Sequence, residues 1–273
     1  MLTNVLLPTD LSSDHELVMK FAAGLADIGV RRVVCAHVVD AAGLEGPVIS
    51  ATVDAAREVM QRSLEPLKAA GLEVDSRVLT GDPERELLQL ANEGSFDCLV
   101  CGSSGKSAAD RLFFGSVSDR LVRDSGLPSL TVRFDLLRVT SDPAELARRF
   151  ARVLLIPTDF SATAARALNL ALSFPRKQIG TVRIFNVASD GGDGETESQL
   201  KRLVDIAKGR GIAASAVIGH GTPEKAILRE AQYSGVSGVV VGSRGRTVLQ
   251  EALMGSVSMT LMRQAPCPVL IVP

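Results

Sequence analysis

Glycine and serine recur in this chain in an arrangement suited to holding an anion. Gly102-Ser-Ser-Gly105 is followed, after nine residues, by Gly115-Ser116, and Gly242-Ser-Arg-Gly245 by Gly255-Ser256 at the same interval. An apolar run leads into each cluster, Cys98 to Cys101 and Gly238 to Val241, and a helical pattern follows each Gly-Ser pair. Glycine at the end of a buried strand lets the backbone come close to a ligand. A Gly-Ser at a helix start offers unpaired N–H groups and the positive end of the helix dipole. For two glycine clusters ten residues apart, a phosphate chain is the anion that fits best.

The familiar phosphate loops have other spacings. Gly105-Lys106-Ser107 looks like the tail of a Walker A motif, but the first glycine of that motif would fall at position 100, which is Val. Gly245-Arg246-Thr247 fails in the same way, and G-x-x-G is not the three-glycine dinucleotide fingerprint. Other chemistry is sparse. His15, His37 and His220 are scattered, and Asn186 stands in the repeat where His37 stands. Cys98 and Cys101 have a redox or zinc spacing, but residues three apart on one apolar strand face opposite sides. The acid-rich stretch from Ser189 to Thr196 lacks the ligand order of an EF-hand and reads as a solvated loop. No paired carboxylates, metal cluster or nucleophile–base set accompanies the glycines beyond Asp10 and Asp159, so the residues point to binding rather than fast catalysis.

The elements that must position these residues are duplicated too. Val5-Leu-Leu-Pro-Thr-Asp10-Leu-Ser recurs as Val153-Leu-Leu-Ile-Pro-Thr-Asp159-Phe-Ser, 149 positions on. Gly81-Asp-Pro-Glu recurs as Gly221-Thr-Pro-Glu at an offset of 140, which the glycine clusters keep. The second copy is therefore shorter between Val38 and Gly81. In the first copy, strands are expected at Val5–Leu7, Val33–Val39, Val74–Leu79, Cys98–Cys101 and Ser129–Val132. Helices are expected near Ser13–Asp27, Thr52–Ala70, Glu84–Asn92 and Val117–Ser125, with Pro66 kinking or splitting the second. Ala41–Ser50 reads as irregular, and Asp142-Pro143 as the start of one short linker helix. Strict alternation of continuously apolar strands with helices predicts a parallel sheet covered on both faces.

At 273 residues the chain accommodates two domains of ordinary size, and 46% hydrophobic against 22% charged residues describes a well-packed protein. A net charge of -1 gives no electrostatic case for a nucleic-acid or membrane partner. One Tyr and no Trp leave little for base stacking. Without an apolar run of roughly 18 residues or a basic leader, and with four cysteines suited to a reducing compartment, the expected location is cytoplasmic.

The glycine spacing after a fourth strand, together with Pro-Thr-Asp-x-Ser ending the first, resembles the universal stress protein family, twice and over nearly the whole chain. The resemblance implies an ATP-binding α/β protein of two tandem doubly wound domains, each a five-stranded parallel sheet of order 3-2-1-4-5 with helices on both faces. Residues 1–137 would form the first domain, 138–150 a linker and 151–273 the second. The last strands, Leu130–Val132 and Leu270–Val272, would meet across a two-fold axis as an intramolecular pseudo-dimer. A further homodimer and a protein partner stay open.

In such a sheet the ligand sits where strand order reverses, between strands one and four. The resemblance assigns Pro8, Thr9 and Asp10, with Pro157, Thr158 and Asp159, to adenosine, and the backbone of Val38 and Val187 to adenine. It assigns Gly102, Gly105, Gly115, Ser116, Val117 and Ser118 to phosphate and ribose. Gly242, Gly245, Gly255, Ser256, Val257 and Ser258 repeat that set. Lys106, Arg244 and Arg246 are phosphate-contact candidates, with plain surface charge as the alternative. Asp10 has the alternative of capping the first helix, and Gly115-Ser116 that of an ordinary helix start. Phe113-Phe114 depart from the family's wording more than Leu253-Met254 do, which favours the second site. The function implied is an ATP-binding stress-response or regulatory protein. The alternatives are a slow ATPase or phosphotransferase in which Asp10 or Asp159 helps hold Mg²⁺, and a partner-binding scaffold.

Overall fold

Strands that are apolar on both faces can be covered on both faces, and here they are. The computed structural model describes residues 2–103, 116–188, 194–245 and 254–273. In the first half, strands β1 (Asn4–Pro8), β2 (Arg32–Val39), β3 (Glu73–Thr80), β4 (Cys98–Ser103) and β5 (Ser129–Arg133) alternate with helices. These are α1 (His15–Ala23), α2 (Gly46–Ser63), α3 (Glu65–Ala69), α4 (Pro83–Glu93) and α5 (Ser116–Asp124). Two short helices, α6 (Phe134–Val139) and α7 (Pro143–Arg148), lead to the second half. There β6 (Val153–Pro157), β7 (Thr181–Ala188), β8 (Ala213–His220), β9 (Gly238–Gly242) and β10 (Val269–Val272) alternate with α8 (Ala162–Ala171), α9 (Gly194–Gly209), α10 (Pro223–Tyr233) and α11 (Ser256–Gln264).

All ten strands join one sheet, in the order 3-2-1-4-5-10-9-6-7-8. Each half is parallel with the expected 3-2-1-4-5 order, and β5 meets β10 antiparallel, Leu130 opposite Leu270. Thr131 Oγ1 donates to the Val269 carbonyl at 3.2 Å across this seam. The pairing removes two apolar edges that would otherwise be open. One apolar layer covers each face and passes through both halves. Val5 and Leu7 point into one layer and Leu6 into the other, as the pleat requires. Cys98 and Cys101 part in the same way. Burial drives all four cysteine thiols up to about 12, so they are protonated packing groups.

The connections differ from the sequence expectation in two places, and in a third the structure decides between two expected outcomes. Pro66 splits the second helix, α2 ending at Ser63 and α3 starting at Glu65. Half of the stretch expected to be irregular, Ala41–Ser50, belongs to α2, which starts at Gly46 with Pro47 in its first turn, where a missing N–H costs nothing. Between β5 and β6 stand two helices rather than one, and the first begins ahead of the expected linker, at Phe134. α6 follows β5 directly, and α7 starts where Asp142 Oδ1 accepts from Ala144 N at 2.9 Å.

Candidate functional site

β1 and β6 end in the same way, and that ending builds the site. Pro8 and Pro157 have no N–H to extend the ladder. Thr9 N and Thr158 N then donate to the carbonyls of Ala36 and Phe185, each at 2.8 Å, and the chain turns away. In the turn, Thr9 Oγ1 accepts from Leu11 N at 3.1 Å and Asp10 Oδ1 from Ser12 N at 2.9 Å. Thr158 and Asp159 repeat both bonds, at 3.0 Å each, to Phe160 N and Ser161 N. The carboxylates thus shape the turn; the N-cap of α1 is Asp14, not Asp10.

This turn places Leu11 at φ 57° and Phe160 at φ 62°, left-handed values that cost a non-glycine residue about 1 kcal/mol or more. Both side chains are packed against the apolar layer beneath, which holds the turn in place. From the neighbouring strand, His37 Nδ1 donates to the Thr9 carbonyl at 2.9 Å and Asn186 Nδ2 to the Thr158 carbonyl at 2.8 Å. His37 and Asn186, which stand at the same place in the two halves, thus make the same positioning hydrogen bond.

Once β1 has turned away, main-chain groups of β2 are left facing the gap. The Ala36 carbonyl faces β1, so Val38, two residues on, turns its N–H and C=O to the same side beyond the last residue of β1. Val187 has the same relation to β6. Two clefts result. The first, of about 490 Å³, has Pro8, Thr9, Asp10 and Val38 on one bank and Gly102, Ser116, Val117 and Ser118 on the other. The second, of about 480 Å³, has Pro157, Thr158, Asp159 and Val187 facing Gly242, Arg244, Gly245, Gly255, Ser256, Val257 and Ser258. Every expected site residue that is described therefore lines one of the two. Gly105, Lys106, Gly115 and Arg246 lie outside the described residues.

In the second cleft the two glycine clusters are drawn together. Gly255 N and Ser258 Oγ both donate to the Ser243 carbonyl at 2.8 Å, fixing the start of α11 beside the end of β9. The N-cap residue, Gly255, has no side chain to cap that first turn, whose N–H groups and dipole suit an anion. A Cβ on Gly245 would fall 2.9 Å from Asp159 Oδ2, so a larger residue there would shift that carboxylate. Ser256 Oγ donates to Glu224 Oε1 at 2.6 Å, and this bond holds the Glu224 carboxyl below its ordinary value. Glu224 was visible in the sequence only as a first-turn acid of α10; its place in the cleft depends on α10 packing beside α11. Its counterpart in the first half, Glu84, pairs with Arg120 at 3.1 Å instead.

The second cleft therefore carries two signs. Asp159 and Glu224 suit hydroxyl or N–H groups of a ligand, whereas Arg244 and the α11 start suit an anion. Ser243 Oγ, buried just past β9, has no hydrogen-bond partner among the described residues. Among the described residues no group of three or more His, Cys, Asp or Glu could hold a metal ion, and no helix is long and apolar enough to cross a membrane.

Comparison with known proteins bears on the same two halves. A crystal structure of a universal stress protein from Archaeoglobus fulgidus matches with a TM-score of 0.82 at 27% identity, over 98% of this chain and 97% of that one. Universal stress protein Rv2005c of Mycobacterium tuberculosis is 25% identical over 238 residues, 80% of this chain and 77% of the relative. Universal stress protein MJ0577 of Methanocaldococcus jannaschii is 24% identical over 155 residues, which take up 96% of its length but 49% of this chain. The model of the Universal stress protein family matches twice, over residues 1–133 and 151–273. With the strand order, the duplicated turn and both family matches in agreement, the chain belongs to the universal stress protein family, in tandem two-domain form.

Proposed function

We propose that this chain is an ATP-binding stress-response or regulatory protein that works in the cytoplasm and does little or no catalysis. The observation that carries the reading is the two-signed lining of the second cleft, where the acids Asp159 and Glu224 share one cavity with Arg244, three glycines and the start of α11. A nucleotide has the same sequence of groups: a base with a polar edge, ribose hydroxyls, and an anionic chain. The backbone of Val187 would meet the base, Asp159 the ribose, and Arg244 with the first N–H groups of α11 the phosphates. The volume of about 480 Å³ lies within the range of small-molecule sites, about 300–1,000 Å³. When bound, ATP brings the triphosphate; the chain's own groups orient it. Asp159 Oδ1 and Glu224 Oε1 are engaged in hydrogen bonds that hold the cleft in shape, which supports binding over acid–base turnover.

Equilibrium dialysis with labelled ATP, joined to a long-incubation assay for ADP, tests this. Micromolar binding, on the order of -8 kcal/mol, without turnover is the expected result, and mass spectrometry of the small molecule released on denaturation should show an adenine nucleotide. Failure of any adenine nucleotide to bind at millimolar concentration would overturn the reading. Steady ADP release lost in Asp159→Ala would replace it with slow, Mg²⁺-assisted hydrolysis.

A further inference from the structure

The first cleft has one wall that the second does not, and the linker supplies it. α6 begins at Phe134, directly after β5, and its ring lies over Gly102 at the end of β4. A Cβ on that glycine would stand 2.5 Å from two ring carbons and 2.9 Å from Val18 Cγ2. Both side chains line the cleft beside Asp10 and Gly102. In the second cleft the corresponding glycine, Gly242, is closed over by α8 instead, with Thr163 at 2.9 Å from such a Cβ.

The difference follows from how the two helices start. α8 begins three residues after Asp159, with Ser161 Oγ accepting from Ala164 N at 3.2 Å and Thr163 Oγ1 donating to the Arg244 carbonyl at 2.5 Å. α1 begins five residues after Asp10. Its N-cap residue, Asp14, makes no side-chain capping bond, and the Asp14 carboxylate is held by Arg138 near the far end of α6, with Nε at 3.1 Å. The Arg138 guanidinium also lies 6.0 Å from the centroid of the Phe134 ring. At the start of α6, Arg133 Nε donates to Asp135 at 2.8 Å and Arg133 Nη1 to the Ala265 carbonyl of the second half at 3.1 Å. α6 is pinned at both ends, with Phe134 set between α1 and β4.

We propose that Phe134 and Arg138 make α6 a latch on the first cleft, so that a ligand reaching Gly102 displaces the linker ring and adenine nucleotide binds there more weakly than in the second cleft. The proposal rests on the nucleotide reading of the clefts and gives it a cause for two unequal sites. The latch is able to open. Arg138 is 58% exposed, and an exposed ion pair of this kind is worth little and is screened by salt. The Phe134 ring is only partly buried.

The chain has no tryptophan, so Phe134→Trp introduces a single reporter. That variant, carrying also Gly255→Val to disable the second cleft, is titrated with ATP. The wild type, Phe134→Ala and Arg138→Ala are compared by dialysis at low and high salt. The expected results are a shift in indole emission that saturates with ATP, and first-cleft binding tightened about tenfold in both Ala variants. Arg138→Ala removes no core contact, so its result stands even where Phe134→Ala folds poorly. ATP bound at the second cleft, with first-cleft affinity unchanged in Arg138→Ala or indole emission unmoved by first-cleft filling, overturns the latch alone. ATP bound at neither cleft in any of these proteins overturns the nucleotide reading and the latch with it.

Discussion

Two glycines of the second cleft do different work, and one substitution separates them. Gly242 meets Thr163 backbone and side chain at 2.9 Å from an added Cβ, so any side chain there pushes α8 off β9. Gly242→Val is expected to cost about 3 kcal/mol, the upper end of ordinary overpacking. Gly255 has φ -68°, and an added Cβ would stand 3.4 Å from the Ser243 carbonyl, an ordinary contact. Gly255→Val should cost about 1 kcal/mol, the loss of a tolerable N-cap, yet lower ATP affinity at the second cleft at least tenfold by crowding the start of α11. Calorimetric melting and ATP dialysis on both variants check this, and equal stability losses would contradict it. The spacing of the glycines revealed that a site exists, because spacing is a property of the chain in one dimension. Which glycine serves packing was not legible, because Thr163 reaches Gly242 from about 80 positions away.

Each half also fastens the start of its first strand to that of its fourth, by different chemistry. Asp97 Oδ2 accepts from Thr3 N and Asn4 N at 2.9 Å and from Thr3 Oγ1 at 2.5 Å, joining β1 to β4. In the second half Ser237 Oγ accepts from Val153 N at 2.7 Å, joining β6 to β9. Burial pushes the Asp97 pKa up, but the Thr3 hydroxyl and the two N–H groups outweigh it and hold the carboxyl below its ordinary value. The folded pKa is therefore lower than the unfolded one. The stabilisation is complete above the unfolded value and is lost as pH falls through the folded one. Asp97→Ser should lose about 1–3 kcal/mol at neutral pH, the scale of hydrogen bonds to a charged group, and flatten the acid limb of a urea-melt stability profile. Parallel wild-type and variant profiles would refute the assignment. Such a staple is hidden in sequence, since an aspartate and a serine share no obvious role. The strands themselves were legible because burial on both faces demands continuous apolar runs. The second linker helix was not, since α6 owes its existence to Phe134 and Leu137 packing on the first half rather than to any capping signal of its own.

At the scale of the whole molecule, the seam between β5 and β10 decides whether there are two proteins or one. Both apolar layers run through it, and Leu130 and Leu270 are at most 1% exposed on either side. The halves should therefore unfold together. The single tyrosine, Tyr233, lies in α10 of the second half, so its emission reports that half, whereas far-UV circular dichroism reports both. In the wild type the two urea midpoints are expected to coincide. The seam can be weakened without touching the bonds inside either half. The Pro128 carbonyl faces β4, where it accepts from Leu99 N, so alternation turns the main-chain groups of Thr131 toward β10. Thr131→Pro removes one seam N–H, and with it the hydroxyl that bonds Val269, while the β4–β5 ladder keeps its donors. The variant should lose about 1–3 kcal/mol, the scale of a buried carbonyl left without its donor, and its two midpoints should separate as the halves uncouple. Midpoints that already differ in the wild type would show the two cores to be energetically independent despite their shared sheet. Midpoints that stay together in Thr131→Pro would locate the coupling in the apolar layers rather than in the seam's hydrogen bonds.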